Sequence, residues 1–222
     1  MIKLTLRALT KYLVGLLLVA LLLFLPAGTL LYSNAWLFIA LLFLPMLVLG
    51  TVLLIKKPEL LEKRLDAKEK ERTQKGVVGI SALLFVAGFL VAGLDHRFAW
   101  SRVPTWLVIL SSVILLISYA LYAEVMRENV YLSRTVKVQK DQQVISTGLY
   151  GIVRHPMYAT TVWLFLAIPL VLGSWFSLCC FLPYPLILAL RIKNEEAVLV
   201  ESLNGYDEYK RKVKYRLFPF IW

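Results

Sequence analysis

Long stretches without a charged side chain alternate with short basic segments along this chain. Residues 12–55 contain no Asp, Glu, Lys or Arg, a run of 44 residues. As a helix rising ~1.5 Å per residue it would extend about 66 Å. One bilayer crossing takes about 20 residues, so the run predicts two helices, with the break at Tyr32-Ser33-Asn34. Residues 76–94 predict a third span and residues 103–123 a fourth. Residues 155–190 are again uncharged, but Pro156, Pro169, Gly173, Pro183 and Pro185 punctuate them. Thirty-six residues are few for two full spans, so two short or kinked helices are expected, meeting near Gly173-Ser174. Irregular backbone at membrane depth is tolerated where protein or a cavity shields it. The pattern predicts an all-α polytopic bundle of five to six membrane helices whose last two form a short or kinked hairpin.

Composition narrows the class further. The chain has 222 residues, 59% of them hydrophobic and 18% charged, with mean hydropathy +0.72. A soluble domain carries about a quarter charged residues. A soluble nucleic-acid-binding domain is therefore excluded despite the net charge of +11, and no nucleic-acid partner is expected. Eleven glycines and nine prolines argue against collagen-like or disordered sequence. The two cysteines, Cys179 and Cys180, are adjacent in an apolar run, which suits neither a disulfide framework nor a metal site. Lys3, Arg7 and Lys11 before an apolar stretch resemble a signal peptide. The stretch is long and no secreted domain follows it, which predicts a first anchor instead.

The positive charges give an orientation. Residues 1–11 hold three Lys and Arg, residues 56–75 eight, residues 124–154 five and residues 191–222 seven, together 23 of the 25. The other two, Arg97 and Arg102, fall in an expected loop over 95–102. With six crossings all four basic segments share one side, which the positive-inside rule places in the cytoplasm with both termini. Residues 56–75 read as a short surface helix and linker. Residues 136–145, polar with β-branched positions, read as extended with a turn near Asp141.

The densest chemistry lies in Ser146-Thr-Gly-Leu-Tyr-Gly-Ile-Val-Arg-His-Pro-Met-Tyr158. Pro156 suits the first turn of a helix, where its missing N–H leaves no bond unmade. Arg154 and His155 then stand at a helix entrance, where free N–H groups and a partial positive charge favour a carboxylate. The plain alternative is a basic anchor with interfacial tyrosines. A second cluster is Arg191-Ile-Lys-Asn-Glu-Glu196. Arg191 and Glu195, four residues apart, share a helix face on a helix expected to stop near Asn204-Gly205. Its plain alternative is a surface ion pair. Tyr206, Tyr209 and the amphipathic tail ending at Trp222 read as a returning interfacial segment able to cap a site. Two such clusters joined by one hairpin can converge across a cavity.

The string Gly148-Leu-Tyr-Gly-Ile-Val-Arg-His-Pro-Met-Tyr158 resembles the G-x-Y-x-x-x-R-H-P-x-Y signature of the isoprenylcysteine carboxyl methyltransferase family and its bacterial and archaeal relatives. The apolar hairpin, Arg191 with Glu195-Glu196, the Gly-Tyr-x-x-Tyr stretch and the closing Pro-Phe-Ile continue the likeness over residues 135–222. Residues 1–134 match as generic membrane helices, which suggests an N-terminal helical part (1–134) and a C-terminal methyltransferase core (135–222). The resemblance implies a non-Rossmann site for S-adenosylmethionine at the cytoplasmic face. Gln142, Gln143, Val144, Ile145, Tyr150, Arg154, His155, Pro156, Met157 and Tyr158 would line it, and Glu195 would contact the cofactor. The family's eukaryotic members carry His where this chain has Gln142.

Tyr faces suit a sulfonium and an adenine. Arg154, His155 and helix-start N–H groups suit the cofactor carboxylate, and Glu195 its ammonium. Arg191 would orient a carboxylate acceptor, whereas an amine acceptor would need Glu196 or His155 as base. The resemblance implies a lipophilic acceptor in the bilayer, a prenylated cysteine or a phospholipid, and favours a bacterial or archaeal membrane over the endoplasmic reticulum. Rival readings are a phospholipid amine N-methyltransferase, an NADPH-dependent sterol-type reductase, and a non-enzymatic scaffold or small transporter.

Overall fold

A computed structural model describes residues 2–66, 72–133, 138–139 and 141–222. Parts of the expected 56–75 linker and 136–145 extended stretch lie outside the described residues. The helices are α1 (Ile2–Ala27), α2 (Ser33–Lys56), α3 (Pro58–Leu65), α4 (Arg72–Phe98), α5 (Thr105–Glu128), α6 (Pro156–Val171), α7 (Trp175–Phe181), α8 (Tyr184–Ser202) and α9 (Tyr206–Lys212), with a 3₁₀ turn at Gly148–Gly151. No strand occurs among the described residues, and the fold is an all-α membrane bundle.

Five segments are long and apolar enough to cross a bilayer: α1, α2, residues 74–98 of α4, α5, and α7 with α8 as one broken span. With 16 residues, α6 reaches about 24 Å at ~1.5 Å per residue, short of a ~30 Å hydrocarbon core. The last uncharged run is thus the expected hairpin. Its turn is Leu172-Gly173-Ser174, with Gly173 at φ 80°, and its second arm is interrupted at Leu182-Pro183.

Two sequence expectations shift. The first break lies at residues 28–32 instead of Tyr32-Ser33-Asn34, because Ser33 already begins α2. The residues expected to form the break serve the hairpin instead. A helix leaves its last carbonyls without intrahelical partners, and at the end of α6 the Tyr32 hydroxyl donates to Leu172 O (2.6 Å) while Asn34 Nδ2 donates to Val171 O (2.8 Å). Second, α4 continues to Phe98, so Arg97 belongs to its last turn and not to a loop.

The main core gathers at this same end. Leu23 and Ala27 of α1, Ala35 and Phe38 of α2, Phe89 and Ala92 of α4, Ile168 and Val171 of α6, and Phe181 of α7 are buried together. α1 and α4 approach closely at Gly93: a Cβ there would stand 2.6 Å from Leu23 O and 2.5 Å from Pro26, and only a small residue permits that spacing. Buried Asp95 accepts hydrogen bonds from Ser101 N (2.7 Å), Ser101 Oγ (2.6 Å) and Ser174 Oγ, tying the end of α4 to the hairpin turn.

The opposite end of the bundle collects the basic segments. Lys11 of α1 donates to Leu65 O, Lys57 donates to Arg127 O (2.9 Å), and Arg64 of α3 donates to Ser133 O (3.4 Å). There the start of α6, the end of α5 and the end of α8 come together.

Candidate functional site

The Gly148–Tyr158 segment takes its shape from its own residues and from the tail. Gly148 has φ +52°, and a Cβ on it would collide with the Glu128 carboxylate. The positive φ favours glycine, since left-handed backbone strains other residues, and the missing side chain leaves room for the carboxylate. The Glu128 carboxylate accepts from Leu149 N (3.1 Å) and so anchors the 3₁₀ turn to the end of α5. Pro156 opens α6 at its first turn with His155 as N-cap, as its ring and missing N–H predict.

The tail lies along this motif. Arg154 N donates to Tyr215 O and His155 N to Arg216 O, both at 2.9 Å. The expectation that the backbone N–H groups at the helix entrance serve a ligand carboxylate is therefore corrected for these two: the tail carbonyls occupy them. The tail then folds on itself, with Arg216 N and Leu217 N donating to Trp222 O (2.8 and 3.1 Å) and the Arg216 guanidinium 4.9 Å from the Trp222 ring centre.

Behind the motif sits a buried charge cluster. Glu196, 3% exposed, accepts from Arg154 Nε at 2.7 Å and Arg216 Nε at 2.8 Å, and its Oε1 lies 3.3 Å from His155 Nε2. Arg154 Nη1 also donates to Val213 O (2.7 Å) and Lys214 O (2.8 Å). Glu196 thereby fastens α8, the helix entrance and the tail into one unit. The proposed base role for Glu196 does not suit this geometry. Both carboxylate oxygens are engaged by cationic donors, which stabilise the charged form, and the residue does not line the cavity described next.

That cavity is an open cleft between the helix entrance and α8. Gln142, Gln143, Val144 and Ile145 line one wall, Tyr150, Arg154, His155, Met157 and Tyr158 a second, and Arg191 and Glu195 a third. Of the residues expected to bind the cofactor or take part in transfer, Pro156 and Glu196 stand outside the lining. The turn near Asp141 is present, with Asp141 at φ 58°, Gln142 N donating to Gln139 O (3.2 Å) and Gln139 N donating to Gln142 Oε1 (2.9 Å). Gln142 thus shapes the loop as well as the wall.

The centre of the site is the Tyr158 hydroxyl. It donates to Glu195 Oε2 at 2.6 Å and accepts from Arg191 Nε at 2.9 Å, joining the two clusters of the sequence through one phenol. Packing fixes the geometry: Tyr158 and Val162 of α6 are buried against Tyr184, Leu188 and Ile192 of α8 and Leu217 of the tail. The His155 ring stacks near Tyr158 with centroids 5.7 Å apart. On the other side, the Tyr150 hydroxyl accepts from Asn129 Nδ2 (2.9 Å), and the Tyr209 hydroxyl donates to Tyr150 O (2.8 Å). Burial raises the Tyr150 and Tyr209 phenols above their ordinary pKa, so both keep their protons at neutral pH.

The lining includes residues that sequence reasoning missed. Asn129, Tyr131, Leu132 and Ser133 follow α5, in the part read as generic helices. Val198, Leu199 and Leu203 extend the cavity face of α8. Continuing the four-residue step from Arg191 and Glu195 predicts Leu199 and Leu203 directly. Tyr206 and Tyr209 complete the wall, in the segment expected to cap a site.

A family model, isoprenylcysteine carboxyl methyltransferase (ICMT) family, matches residues 106–201. The matched segment begins inside α5, earlier than residue 135, and ends before the tail. Among solved structures the chain resembles the eukaryotic intramembrane Ras methyltransferase ICMT (isoprenylcysteine carboxyl methyltransferase), solved without a monobody. The TM-score is 0.58 at 18% sequence identity, covering 96% of this chain and 77% of that one. That likeness is one of fold. Comparison with curated proteins gives no match.

Proposed function

We propose, from the match of residues 106–201 to the isoprenylcysteine carboxyl methyltransferase family model, that the protein is an integral membrane methyltransferase moving a methyl group from S-adenosylmethionine to a lipid-embedded carboxylate, that of a prenylated cysteine or a similar lipophilic acid. The observation that carries the reading is the Tyr158 phenol holding Glu195 and Arg191 on one cavity wall. S-Adenosylmethionine, when bound, supplies an activated methyl group on a sulfonium, flanked by an ammonium and a carboxylate.

The donor set suits that ligand. Glu195 offers an anion for the ammonium. Arg154 and His155 also line the cavity, as cationic or polar partners for the carboxylate, and the Tyr150 and Tyr158 rings offer faces to a cation. Arg191 presents a planar fork that can hold an acceptor carboxylate by paired hydrogen bonds. The remaining task of the chain is to align the partners and exclude water. A carboxylate acceptor is already anionic and needs no base. An amine acceptor needs one, and Glu196 is held by three neighbours outside the cavity. Of the two candidate bases, His155 alone lines the cavity, with its Nε2 turned toward Glu196. In this reading residues 135–222 form the methyltransferase core, joined at the cavity by Asn129, Tyr131, Leu132 and Ser133, and the helices before them form the membrane scaffold. The basic end of the bundle faces the cytoplasm with both termini, so the cofactor enters from water while the acceptor enters from lipid.

The test is methyl transfer from labelled S-adenosylmethionine by the purified protein in lipid nanodiscs, with an S-prenylated cysteine analogue and phosphatidylethanolamine offered together. Label is expected in the prenylcysteine product, released as methanol by mild base, as an ester requires. Base-stable label in the phospholipid would replace the acceptor with an amine.

A further inference from the structure

α8 and its C-cap Leu203 turn one face to the cavity in steps of four: Arg191, Glu195, Leu199, Leu203. Twelve residues of helix cover about 18 Å at ~1.5 Å per residue, and along that length the wall changes from cation to acid to aliphatic. Gly205, at φ +82°, turns the chain into α9. The first residue of α9, Tyr206, packs with Leu203, Leu199, Val144 and Tyr209 at the aliphatic end.

Tyr206 is 4% exposed. Its hydroxyl is buried and has no hydrogen-bond partner among the described residues. Tyr209, one turn on, differs in donating to Tyr150 O. A buried phenol without a partner destabilises the fold relative to phenylalanine, which fills the same space without the hydroxyl. Burial, followed by the nearby Glu196 and Glu195 charges, raises the Tyr206 phenol above its ordinary pKa, so the group remains a donor at neutral pH. A phenol can accept as well as donate, as Tyr158 does, but its proton is satisfied only by an acceptor atom beside it.

We infer that the Tyr206 hydroxyl donates to the nucleoside half of S-adenosylmethionine, fixing the cofactor's direction along the cavity with its base at the aliphatic end and its methyl group toward Arg191. The inference rests on the cofactor reading above and adds a recognition residue to it. Tyr206, Tyr209, Leu199, Leu203 and Val144 offer the mainly apolar enclosure with one polar group that suits a flat heteroaromatic ring. Ring nitrogens and ribose oxygens supply the acceptors.

Tyr206→Phe tests this in the full-length protein in detergent, by calorimetry with S-adenosylhomocysteine and by competition with 5′-methylthioadenosine, which keeps the nucleoside and lacks the amino acid. The unliganded variant is expected to melt at or above the wild-type temperature. Both ligands should bind about tenfold more weakly, the scale of one hydrogen bond. Weaker S-adenosylhomocysteine binding with unchanged methylthioadenosine would put the hydroxyl on the amino-acid half and overturn the assignment. Unchanged binding of both would remove Tyr206 from recognition, and a lower melting temperature without ligand would reveal a protein partner for the hydroxyl. Failure of the wild-type protein to bind S-adenosylhomocysteine is a separate result and overturns the cofactor reading itself.

Discussion

Glu196→Ala is expected to destabilise the C-terminal half severely, by about 3–5 kcal/mol, the cost of removing one partner from a buried ion pair. The substitution leaves Arg154, buried, and Arg216, partly buried, facing each other without the carboxylate that both reach. It also frees the tail, because Arg154 holds Val213 O and Lys214 O while its backbone N–H holds Tyr215 O. The expected observations are poor recovery from the membrane, a melting temperature many degrees lower, and weak ligand binding as the wall carrying Arg154 and His155 loosens. Glu196→Gln keeps the shape and one acceptor but loses the charge, so it should fall between wild type and alanine. Wild-type stability in Glu196→Ala would mean that the cluster does not hold the fold. Normal stability with abolished turnover would return Glu196 to a chemical role.

Arg191→Lys is expected to leave expression, melting temperature and cofactor affinity near wild type while lowering turnover about a hundredfold, the order of loss that a ~1 Å misplacement of reacting groups produces. Arg191 Nε holds the Tyr158 oxygen at 2.9 Å, with the guanidinium carbon 5.9 Å from the Tyr158 ring centre. Lysine brings one point charge and cannot hold that oxygen while pairing side-on with a carboxylate. As a mere interfacial anchor, lysine would serve nearly as well, since both side chains extend an apolar stem toward polar headgroups. The cofactor titration separates the two roles. Near-normal turnover would remove Arg191 from acceptor positioning, and lost cofactor binding would show that it supports Glu195 through Tyr158.

The architecture was legible because membrane helices must be nearly free of charge over a length set by the bilayer. The same rule blurs helix ends. α4 runs from Arg72 to Phe98, not 76–94, because a helix continues past the hydrocarbon edge as long as its backbone bonds are made. Tyr32 and Asn34 read as a break because both are polar in an apolar run; that polarity caps α6, a partner about 140 residues away that no local pattern names.

At the site the motif was legible, but the division of labour between Glu195 and Glu196 was not. Neighbours on a helix point about 100° apart, from 3.6 residues per turn. Glu195 therefore reaches Tyr158 on the cavity side while Glu196 reaches Arg154 and Arg216 behind it. Nothing in the local sequence marks which carboxylate turns which way. Arg216 lies 20 residues further on, in a tail that read only as amphipathic.

The measurement that bears most directly on the central claim is a calorimetric titration of the purified protein, in detergent, with S-adenosylhomocysteine and separately with NADPH. The account predicts saturable one-site binding of S-adenosylhomocysteine, weakened in Glu195→Gln because the ammonium loses its anionic partner, and no heat from NADPH. Saturable NADPH binding with no response to S-adenosylhomocysteine would contradict it and make the cavity a reductase site.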